Sequence, residues 1–284
     1  MKSFYKAINS VFSKYGVGRF FSEHGIGRTY PIKVIHEFAK KKLRKDFAVV
    51  QGNKMFLEED ALNLSVNGVY EKFLTEVVKK EIKEGDVVLD IGSHIGYFTL
   101  IFAKLVSKTG KVFAFEPAPS SFLLLKKNIE INGYKNVVLV NKAVSNRNGK
   151  LRLFLNEKNK SDNRIYNSNN GWKSIEIESI KLDDYFKDYK RKIDLIKIDV
   201  QGAEWRVVDG MRDLLRRNKN IKLISEFWSS GLEKGGIKPF DYLDMLFKNG
   251  FVISEINEKK GKVVPLNLPK LLNESHHTNI ICKK

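Results

Sequence analysis

The chain of 284 residues is 42% hydrophobic, 30% charged and 11% aromatic, a globular composition that excludes a collagen-like, low-complexity or wholly disordered protein. Its single cysteine, Cys282, excludes a disulfide framework, a multi-cysteine zinc site and an iron–sulfur cluster, and we expect a reducing, cytoplasmic location. The formal net charge of +18 favours an anionic partner, such as a phosphate-bearing small molecule, an anionic membrane or a nucleic acid, although a lysine-rich surface explains it equally well.

Residues 1–65 are predicted to form an N-terminal extension of helices and a hairpin. Apolar residues at helical spacing, with lysines between them, predict a basic amphipathic helix: Phe4, Ile8, Val11 and Phe12. Such a helix lies on a membrane surface or packs on its own domain, so peripheral membrane contact is one interpretation. A second helix is predicted near Pro31 to Lys45, and a hairpin around Gly52-Asn53.

From residue 66 to 284, predicted strands and helices alternate, which indicates a parallel sheet with crossover helices. The strands are expected at residues 87–89, 112–115, 137–140, 193–198, 221–224, 251–253 and 278–282. The helices are expected near residues 70–78, 95–106, 120–131, 203–216 and 240–247. A two-stranded excursion turning at Asn148-Gly149 follows the third strand. The polar segment 157–171 beyond it is either a mobile lid or an ordinary exposed loop.

An Asp-x-Gly-x-x-x-Gly motif follows the first buried strand and opens the next helix. It contains Asp90, Gly92 and Gly96. A carboxylate at the strand end would repel a pyrophosphate, so this motif differs from the Gly-x-Gly-x-x-Gly dinucleotide motif. It suits a ligand that bears an ammonium and a sulfonium, and its glycines let that ligand approach the backbone.

A second acid, Glu116, ends the next strand and is followed by Pro117. It lies about 20 residues after the last glycine of the motif, where units of this kind present an acid to the ribose hydroxyls. A carboxylate there accepts two hydrogen bonds from a vicinal diol. The two motifs on successive strands therefore predict a nucleoside cofactor that carries a positive charge.

In these motifs the sequence resembles the class I S-adenosylmethionine-dependent methyltransferases, and more closely the FkbM-type methyltransferase family. The resemblance covers about residues 66–284 and runs through Tyr70-Glu71, Gly85 to Gly92, Phe115-Glu116-Pro117, Asn141 to Ser145, Leu182-Asp183-Asp184, Ile196 to Glu204 and Glu226. It implies an α/β fold with a Rossmann-like, seven-stranded mixed sheet. The chain departs from the family pattern at Gln201, where the family usually has Glu, and at His94, where it usually has Asn.

The resemblance implies S-adenosylmethionine as cofactor and S-adenosylhomocysteine as product, bound across the carboxyl ends of the first strands. Near the methionine portion and ribose it implies Asp90, Gly92, Ser93, His94, Gly96, Tyr97, Glu116, Pro117 and Asp199. Near the adenine it implies Lys142, Ala143 and Val144. Glu71 either reaches the cofactor or serves as a capping or salt-bridging helix residue.

A hydroxyl acceptor has to lose its proton, which requires a base or a metal. Asp199, at the end of the fourth strand, is the first candidate, and Glu226 and Glu204 are supporting candidates. Asp199 and Glu226 would also suit magnesium, but no third ligand is evident and a metal is not favoured. Three histidines are further candidate bases by their chemistry, the first ranked highest: His94, His276 and His277.

The resemblance implies methylation of a hydroxyl oxygen on a sugar, a glycolipid, a glycan or a secondary metabolite. A phosphate-bearing or lipid-linked acceptor would suit the basic chain. Methylation of a nucleobase amino group is disfavoured, because the motif after the fourth strand has no aromatic residue next to a Pro-Pro pair. Carbon-5 methylation of a pyrimidine needs a cysteine nucleophile, and Cys282 lies at the extreme C-terminus, away from the strand-end motifs. An RNA- or protein-directed methyltransferase that docks through the N-terminal region, and a non-catalytic binding module, remain alternatives. Three aromatic residues either wall an acceptor pocket or lie in the core: Trp172, Phe227 and Trp228.

Overall fold

A computed structural model describes residues 47–58, 64, 67–167, 170–273 and 277–284. The chain divides into two compact units, Met1–Val69 and Tyr70–Lys284. The two predicted N-terminal helices, the predicted boundary between residues 65 and 66, and His276 all lie outside the described residues. Within the described residues, no helix has both the length and the apolar character needed to cross a membrane.

The predicted hairpin is present in the first unit, with its turn one residue earlier than expected. Strand β1 (Ala48–Val50) pairs antiparallel with β2 (Asn53–Met55). The two turn residues, Gln51 and Gly52, have φ of 50° and 78°. Two positive φ values give the turn a twist that matches the twist of the strands, which explains why Asn53 belongs to a strand.

The second unit alternates strands and helices, as the sequence predicted. Its strands are β3 (Val87–Ile91), β4 (Lys111–Phe115), β5 (Val137–Val140), β6 (Ala143–Val144), β7 (Gly149–Leu155), β8 (Lys173–Ile180), β9 (Leu195–Ile198), β10 (Lys222–Phe227), β11 (Val252–Asn257), β12 (Lys262–Pro265) and β13 (Thr278–Lys283). Its α-helices are α1 (Lys72–Glu81), α2 (Tyr97–Leu105), α3 (Pro119–Ile131), α4 (Leu182–Tyr185), α5 (Glu204–Asp209), α6 (Arg212–Arg217), α7 (Ser229–Lys234), α8 (Pro239–Lys248) and α9 (Leu268–Asn273).

The main sheet has the order β12-β11-β13-β10-β9-β3-β4-β5. The five strands from β10 to β5 are parallel, and β13 is antiparallel to both of its neighbours. Among the described residues the sheet therefore has eight strands, one more than the seven predicted. The additional strand, β12, is a short and largely exposed edge strand that ends at Pro265, so its sequence lacks the apolar pattern of the core strands.

The strand order reverses between β3 and β9, where the chain leaves one half of the sheet and enters the other. Open α/β sheets bind their ligands in the crevice at the carboxyl ends of the strands beside such a reversal. The strand β3 is buried along its whole length, as expected for a central parallel strand. This topology places the ends of β3, β4, β9 and β10 along one edge.

Two predicted elements between β5 and β10 differ from expectation. Strands β6 and β7 both pair with β8, so Asn148-Gly149 does not turn a hairpin between paired strands. The single helix predicted over 203–216 is divided into α5 and α6 around Gly210. A Cβ at Gly210 would lie 2.1 Å from the carbonyl oxygen of Ser145, so the close approach of the β6 segment requires glycine there.

Candidate active site

Asp90 lies at the end of β3 and carries a buried oxygen to which none of the described residues donates a hydrogen bond. Its side chain is 1% exposed, and its Oδ2 accepts a hydrogen bond of 2.5 Å from the Thr99 hydroxyl. Oδ1 has no hydrogen-bond partner among the described residues. Burial raises the pKa of Asp90, although the nearby Lys197 ammonium opposes this shift. A buried carboxylate oxygen without a donor is costly, so this atom is suited to a cationic ligand.

The glycines of the motif bring backbone atoms to the same crevice. Gly92 has φ of 80°, and a Cβ there would lie 1.9 Å from the carbonyl oxygen of Asp199, so β3 and β9 approach closely at their ends. Gly96 has φ of 92°, and a Cβ there would lie 2.6 Å from Leu125 Cδ1. Both positions require glycine, and the turn presents backbone to a ligand.

Glu116, at the end of β4, is buried and aligned by the backbone. Its Oε2 accepts a hydrogen bond from the His94 amide and its Oε1 accepts one from the Ala118 amide, both at 2.8 Å. His94 adopts φ of 50° in this turn. The Ser93 hydroxyl donates to the carbonyls of Asp90 and Phe115 at 2.9 and 3.1 Å, which joins the ends of β3 and β4. Each Glu116 oxygen retains a lone pair for a ribose hydroxyl.

Tyr97 and Glu71 connect the start of α1 to the site. The Tyr97 hydroxyl accepts a hydrogen bond of 3.1 Å from the Tyr70 amide. Glu71 has φ of 42°, and its Oε1 accepts a hydrogen bond of 2.9 Å from the Asn279 amide group. Burial and the Asp199 carboxylate raise the pKa of Glu71 to about 7. Glu71 is therefore one member of a cluster of interacting carboxylates in the crevice, together with Asp199.

The residues implied for the adenine lie beyond β5, beside the end of β4. The Asn141 side-chain amide donates to the Glu116 carbonyl at 2.7 Å, which places this segment next to the half-buried Pro117. The Nζ of Lys142 forms a salt bridge of 2.6 Å with Oε2 of Glu178 in β8. Ala143 and Val144 form β6, and both are buried. Ala143 lies in a small apolar cluster beside the three-stranded sheet β6-β8-β7, and Val144 lies in the main core.

Lys197, in the middle of β9, is a central residue of the site that was not among the residues predicted from the sequence. Its side chain is 3% exposed, and its Nζ donates to Asp199 Oδ2 at 3.0 Å. Burial lowers the pKa of Lys197, but the carboxylates of Asp199, Asp90 and Glu71 outweigh burial and raise the pKa overall. A lysine between two isoleucines in a central strand was the available signal, because such positions rarely hold a charge without a partner.

Asp199 and Glu226 lie at adjacent strand ends, and Gln201 joins them. The Gln201 Nε2 donates to Asp199 Oδ1 at 2.9 Å and to Glu226 Oε2 at 3.1 Å. Although burial acts to raise it, Lys197 and Gln201 hold the pKa of Asp199 below its usual range. Burial and the neighbouring Asp199 and Glu71 carboxylates raise the pKa of Glu226 well above its usual range. Two acids whose pKa values are driven apart in this way suit different roles.

Glu204, a predicted catalytic candidate, lies beneath the turn that follows β9. Its Oε1 accepts hydrogen bonds from the Val200 and Gly202 amides, each at 3.1 Å. Its Oε2 has no hydrogen-bond partner among the described residues. Burial, together with the Glu226 carboxylate, raises the pKa of Glu204 to about 8. These contacts make Glu204 a residue that shapes the loop carrying Gln201.

His277, which begins the approach to β13, contacts the outer side of Glu226. Its Nδ1 lies 2.7 Å from Glu226 Oε1. Its ring stacks on Trp228, with ring centroids 4.4 Å apart and an angle of 15°. Phe227, by contrast, lies in the main core. The sequence ranked His94 above His277, and nothing local in the chain indicated that residues 226, 228 and 277 would meet.

The polar segment 157–171 reaches this aromatic cluster through Arg164. The guanidinium is buried and lies 4.7 Å from the Trp228 ring and 5.2 Å from the Trp172 ring. Asp162 holds it through a hydrogen bond of 2.8 Å from Arg164 Nε. Within the described residues, no group of three or more histidine, cysteine, aspartate and glutamate side chains is arranged to hold a metal ion.

Comparison with known proteins identifies the family of this chain. Residues 90–253, more than half of the chain, match the Methyltransferase FkbM domain. The chain is similar to methyltransferase sdnD of Sordaria araneosa, with 29% identity over 190 residues, 54% of this chain and 68% of that protein. It is similar to 2-O-methyltransferase NoeI of Sinorhizobium fredii, with 27% identity over 188 residues, 60% of this chain and 75% of that protein.

A third curated relative, methyltransferase 1 of Beauveria bassiana, is 25% identical over 146 residues, 44% of this chain and 58% of that protein. The chain thus spans less than two thirds of that relative. Among solved structures, it is similar to methyltransferase FkbM of Methylobacillus flagellatus, with 12% identity, a TM-score of 0.43, and coverage of 79% of this chain and 53% of that one. On the match of residues 90–253, the chain belongs to the FkbM methyltransferase family.

Proposed function

We propose that this chain transfers a methyl group from S-adenosylmethionine to a hydroxyl oxygen of a sugar, a glycolipid, a glycan or a secondary metabolite. The observation that carries the proposal is the set of strand-end groups in the crevice. The Oδ1 of Asp90, which has no partner in the described part of the chain, the glycine turn and the two oxygens of Glu116 fit an ammonium, a methionine backbone and a ribose. When bound, S-adenosylmethionine supplies a methyl group activated by its sulfonium.

The charge of the crevice supports a cationic cofactor. Four carboxylates surround one ammonium, because Glu71, Asp90, Asp199 and Glu226 all interact electrostatically with Lys197. The Lys197 ammonium holds the Asp199 carboxylate in place and offsets one negative charge of the cluster. The raised pKa values of Asp90, Glu71 and Glu226 show acids that lack sufficient positive charge around them, and a cationic ligand would supply that charge in place of protons.

The rim of the crevice supports a hydroxyl acceptor. An alcohol must lose its proton during transfer, and Asp199, Glu226 and His277 lie there as groups that bind protons. The indole of Trp228 is buried, with the His277 ring stacked on it and the Arg164 guanidinium 4.7 Å away, so it supports the rim from beneath. The similarity to a protein named 2-O-methyltransferase favours oxygen over nitrogen as the accepting atom. A phosphate-bearing acceptor would complement the net charge of +18.

Calorimetric titration with S-adenosylhomocysteine tests the cofactor assignment. The wild type is expected to bind, and Asp90→Asn and Glu116→Gln to weaken binding by at least about tenfold, since each variant loses a charge-assisted contact. Glu130→Gln, on the exposed face of α3, is the matched control and should bind as the wild type does. Folded wild type without binding, or equal loss in all three variants, would contradict the assignment.

A transfer assay with methyl-labelled S-adenosylmethionine tests the acceptor. The panel pairs neutral glycosides with the same sugars linked to a nucleotide or to a phosphate-bearing lipid, and adds RNA and protein. We expect label on a sugar hydroxyl, with a preference for phosphate-bearing acceptors that declines as salt increases. Label on RNA or protein alone would support the docking alternative, and equal use of neutral and charged sugars would remove the phosphate from the proposal.

A further inference from the structure

We propose that His277 is the general base of this reaction: its Nε2 takes the proton of the acceptor hydroxyl, and Glu226 orients the ring through Nδ1. The inference rests on the proposed function, since it assigns the base for a hydroxyl acceptor at the same site. It differs from the sequence-based expectation, which placed the base at Asp199.

Among the described residues, the contacts of His277 leave one ring nitrogen for a substrate. Nδ1 is occupied, because it lies 2.7 Å from Glu226 Oε1. Stacking on Trp228 at 4.4 Å and 15° fixes the plane of the ring. The side chain is nevertheless 45% exposed, so its outer edge is open to an incoming molecule. A carboxylate on one nitrogen and an accessible second nitrogen is the arrangement by which histidine acts as a base.

Hydrogen bonds connect His277 to the cofactor crevice. Gly92 lies directly against the Asp199 carbonyl, so Asp199 borders the place that the glycine turn reserves for the cofactor. From Asp199, the Gln201 amide bridges to Glu226 at 2.9 and 3.1 Å, and Glu226 contacts His277. His277 is thus the outermost member of a chain that begins beside the methyl donor.

The carboxylates of the site are less suited to accept the proton. Asp199 has a pKa below its usual range, which makes it a weak base, and both its oxygens already accept hydrogen bonds. Glu226 likewise has both oxygens engaged, by Gln201 and His277. Glu204 is buried beneath the turn after β9. Of the described groups in this network, His277 has the most exposed side chain, and its second ring nitrogen is not engaged by another member of the network.

The step balances without a further reactant. The acceptor oxygen forms a bond to the methyl carbon as the bond between that carbon and sulfur breaks, and the electron pair of the broken bond stays on sulfur. The hydroxyl proton moves to Nε2 of His277. The resulting imidazolium is stabilised by the Glu226 carboxylate, and its proton leaves to solvent through the exposed edge of the ring.

The protonation state of His277 is set by groups from four elements. They are Glu226 of β10, Asp199 after β9, Glu204 of α5, and Asp162 with Arg164 in the segment between β7 and β8. Burial lowers the pKa of His277, Asp199 and Asp162 act to raise it, and the net effect lies below its ordinary value. The active form of the Glu226–His277 pair holds one proton, on Nδ1, so activity should rise with pH as a second proton is lost.

Nuclear magnetic resonance of the full chain labelled with 15N-histidine tests the assignment without an acceptor. The spectrum of His277→Gln identifies the His277 signals among the five histidines. At pH 8 we expect a protonated Nδ1 and an unprotonated Nε2, and we expect Glu226→Gln to shift this preference. A proton on Nε2 at pH 8 would overturn the inference, because that nitrogen could then not accept one.

Kinetics with any acceptor found in the transfer assay provide the second measurement. His277→Gln should lower kcat by about 10²- to 10⁴-fold and remove the rise of activity with pH. Its affinity for S-adenosylhomocysteine should remain that of the wild type. Unchanged kcat would refute the role of His277 alone, whereas absent binding of S-adenosylhomocysteine by the wild type would refute the proposed function.

Discussion

Replacing Glu204 with glutamine tests whether this carboxyl group is catalytic or shapes the loop after β9. The structure holds Glu204 almost fully buried, with a pKa raised from 4.5 to about 8. The folded protein therefore binds this proton more tightly than the unfolded chain, and the free energy of unfolding falls as pH rises through that range. A single such group gives a slope of about 1.4 kcal/mol per pH unit, or about 3 kcal/mol between pH 5 and pH 7.

Glu204→Gln removes the titrating proton and keeps an oxygen for the Val200 and Gly202 amides. The variant should therefore gain stability relative to the wild type as pH rises, by about 3 kcal/mol from pH 5 to pH 7, in urea unfolding at each pH. Glu130→Gln, whose side chain is exposed on α3, should give a flat difference. A difference for Glu204→Gln that does not change with pH would refute the assigned pKa, and a loss of kcat with wild-type stability would return Glu204 to a catalytic role.

Three further substitutions probe the crevice. Lys197→Met should lower the free energy of unfolding by about 3–5 kcal/mol at pH 8 and by less at pH 5, where the carboxylates can take up protons; urea unfolding that shows no loss would contradict the buried ion pair. Gly92→Ala should abolish calorimetric binding of S-adenosylhomocysteine through the 1.9 Å clash, whereas Gly133→Ala, with φ of 69° and open space, should keep it. With the pKa of Glu71 about 7, wild-type affinity for S-adenosylmethionine should rise by up to about tenfold from pH 6 to pH 8 relative to S-adenosylhomocysteine, which keeps the ammonium but lacks the sulfonium charge, and Glu71→Gln should remove this rise.

The sequence predicts the central strands and their order along the chain, because burial of these strands requires continuous runs of apolar residues. The strand β3 is an example, since every one of its residues is buried. Edge strand β12 escaped prediction because solvent covers much of it and burial does not constrain its residues. The break between α5 and α6 escaped because it depends on contact between Gly210 and the distant Ser145 carbonyl. Local patterns carry no information about such an approach.

The residues of the candidate site also divide into those that the sequence predicts and those that it does not. Asp90, Glu116 and Asp199 follow strands directly, and parallel strand ends must share an edge, so a sequence argument brings them together. His277 reaches Glu226 across 51 residues of chain, through the antiparallel return of β13 beside β10. Arg164 reaches Trp228 from the polar segment between β7 and β8. Their positions follow from tertiary packing, and their sequence neighbourhoods resemble ordinary surface.

Gln201 shows how one departure from the family pattern changes the chemistry of the rim. A glutamate at this position would place a third carboxylate within hydrogen-bond distance of Asp199 and Glu226, and one of the three would need a proton to avoid repulsion. The amide instead donates to both acids at 2.9 and 3.1 Å and brings no charge. This leaves the second oxygen of Glu226 to His277. The substitution that removes an acid from the rim therefore favours a histidine, oriented by Glu226, as the group that accepts the proton.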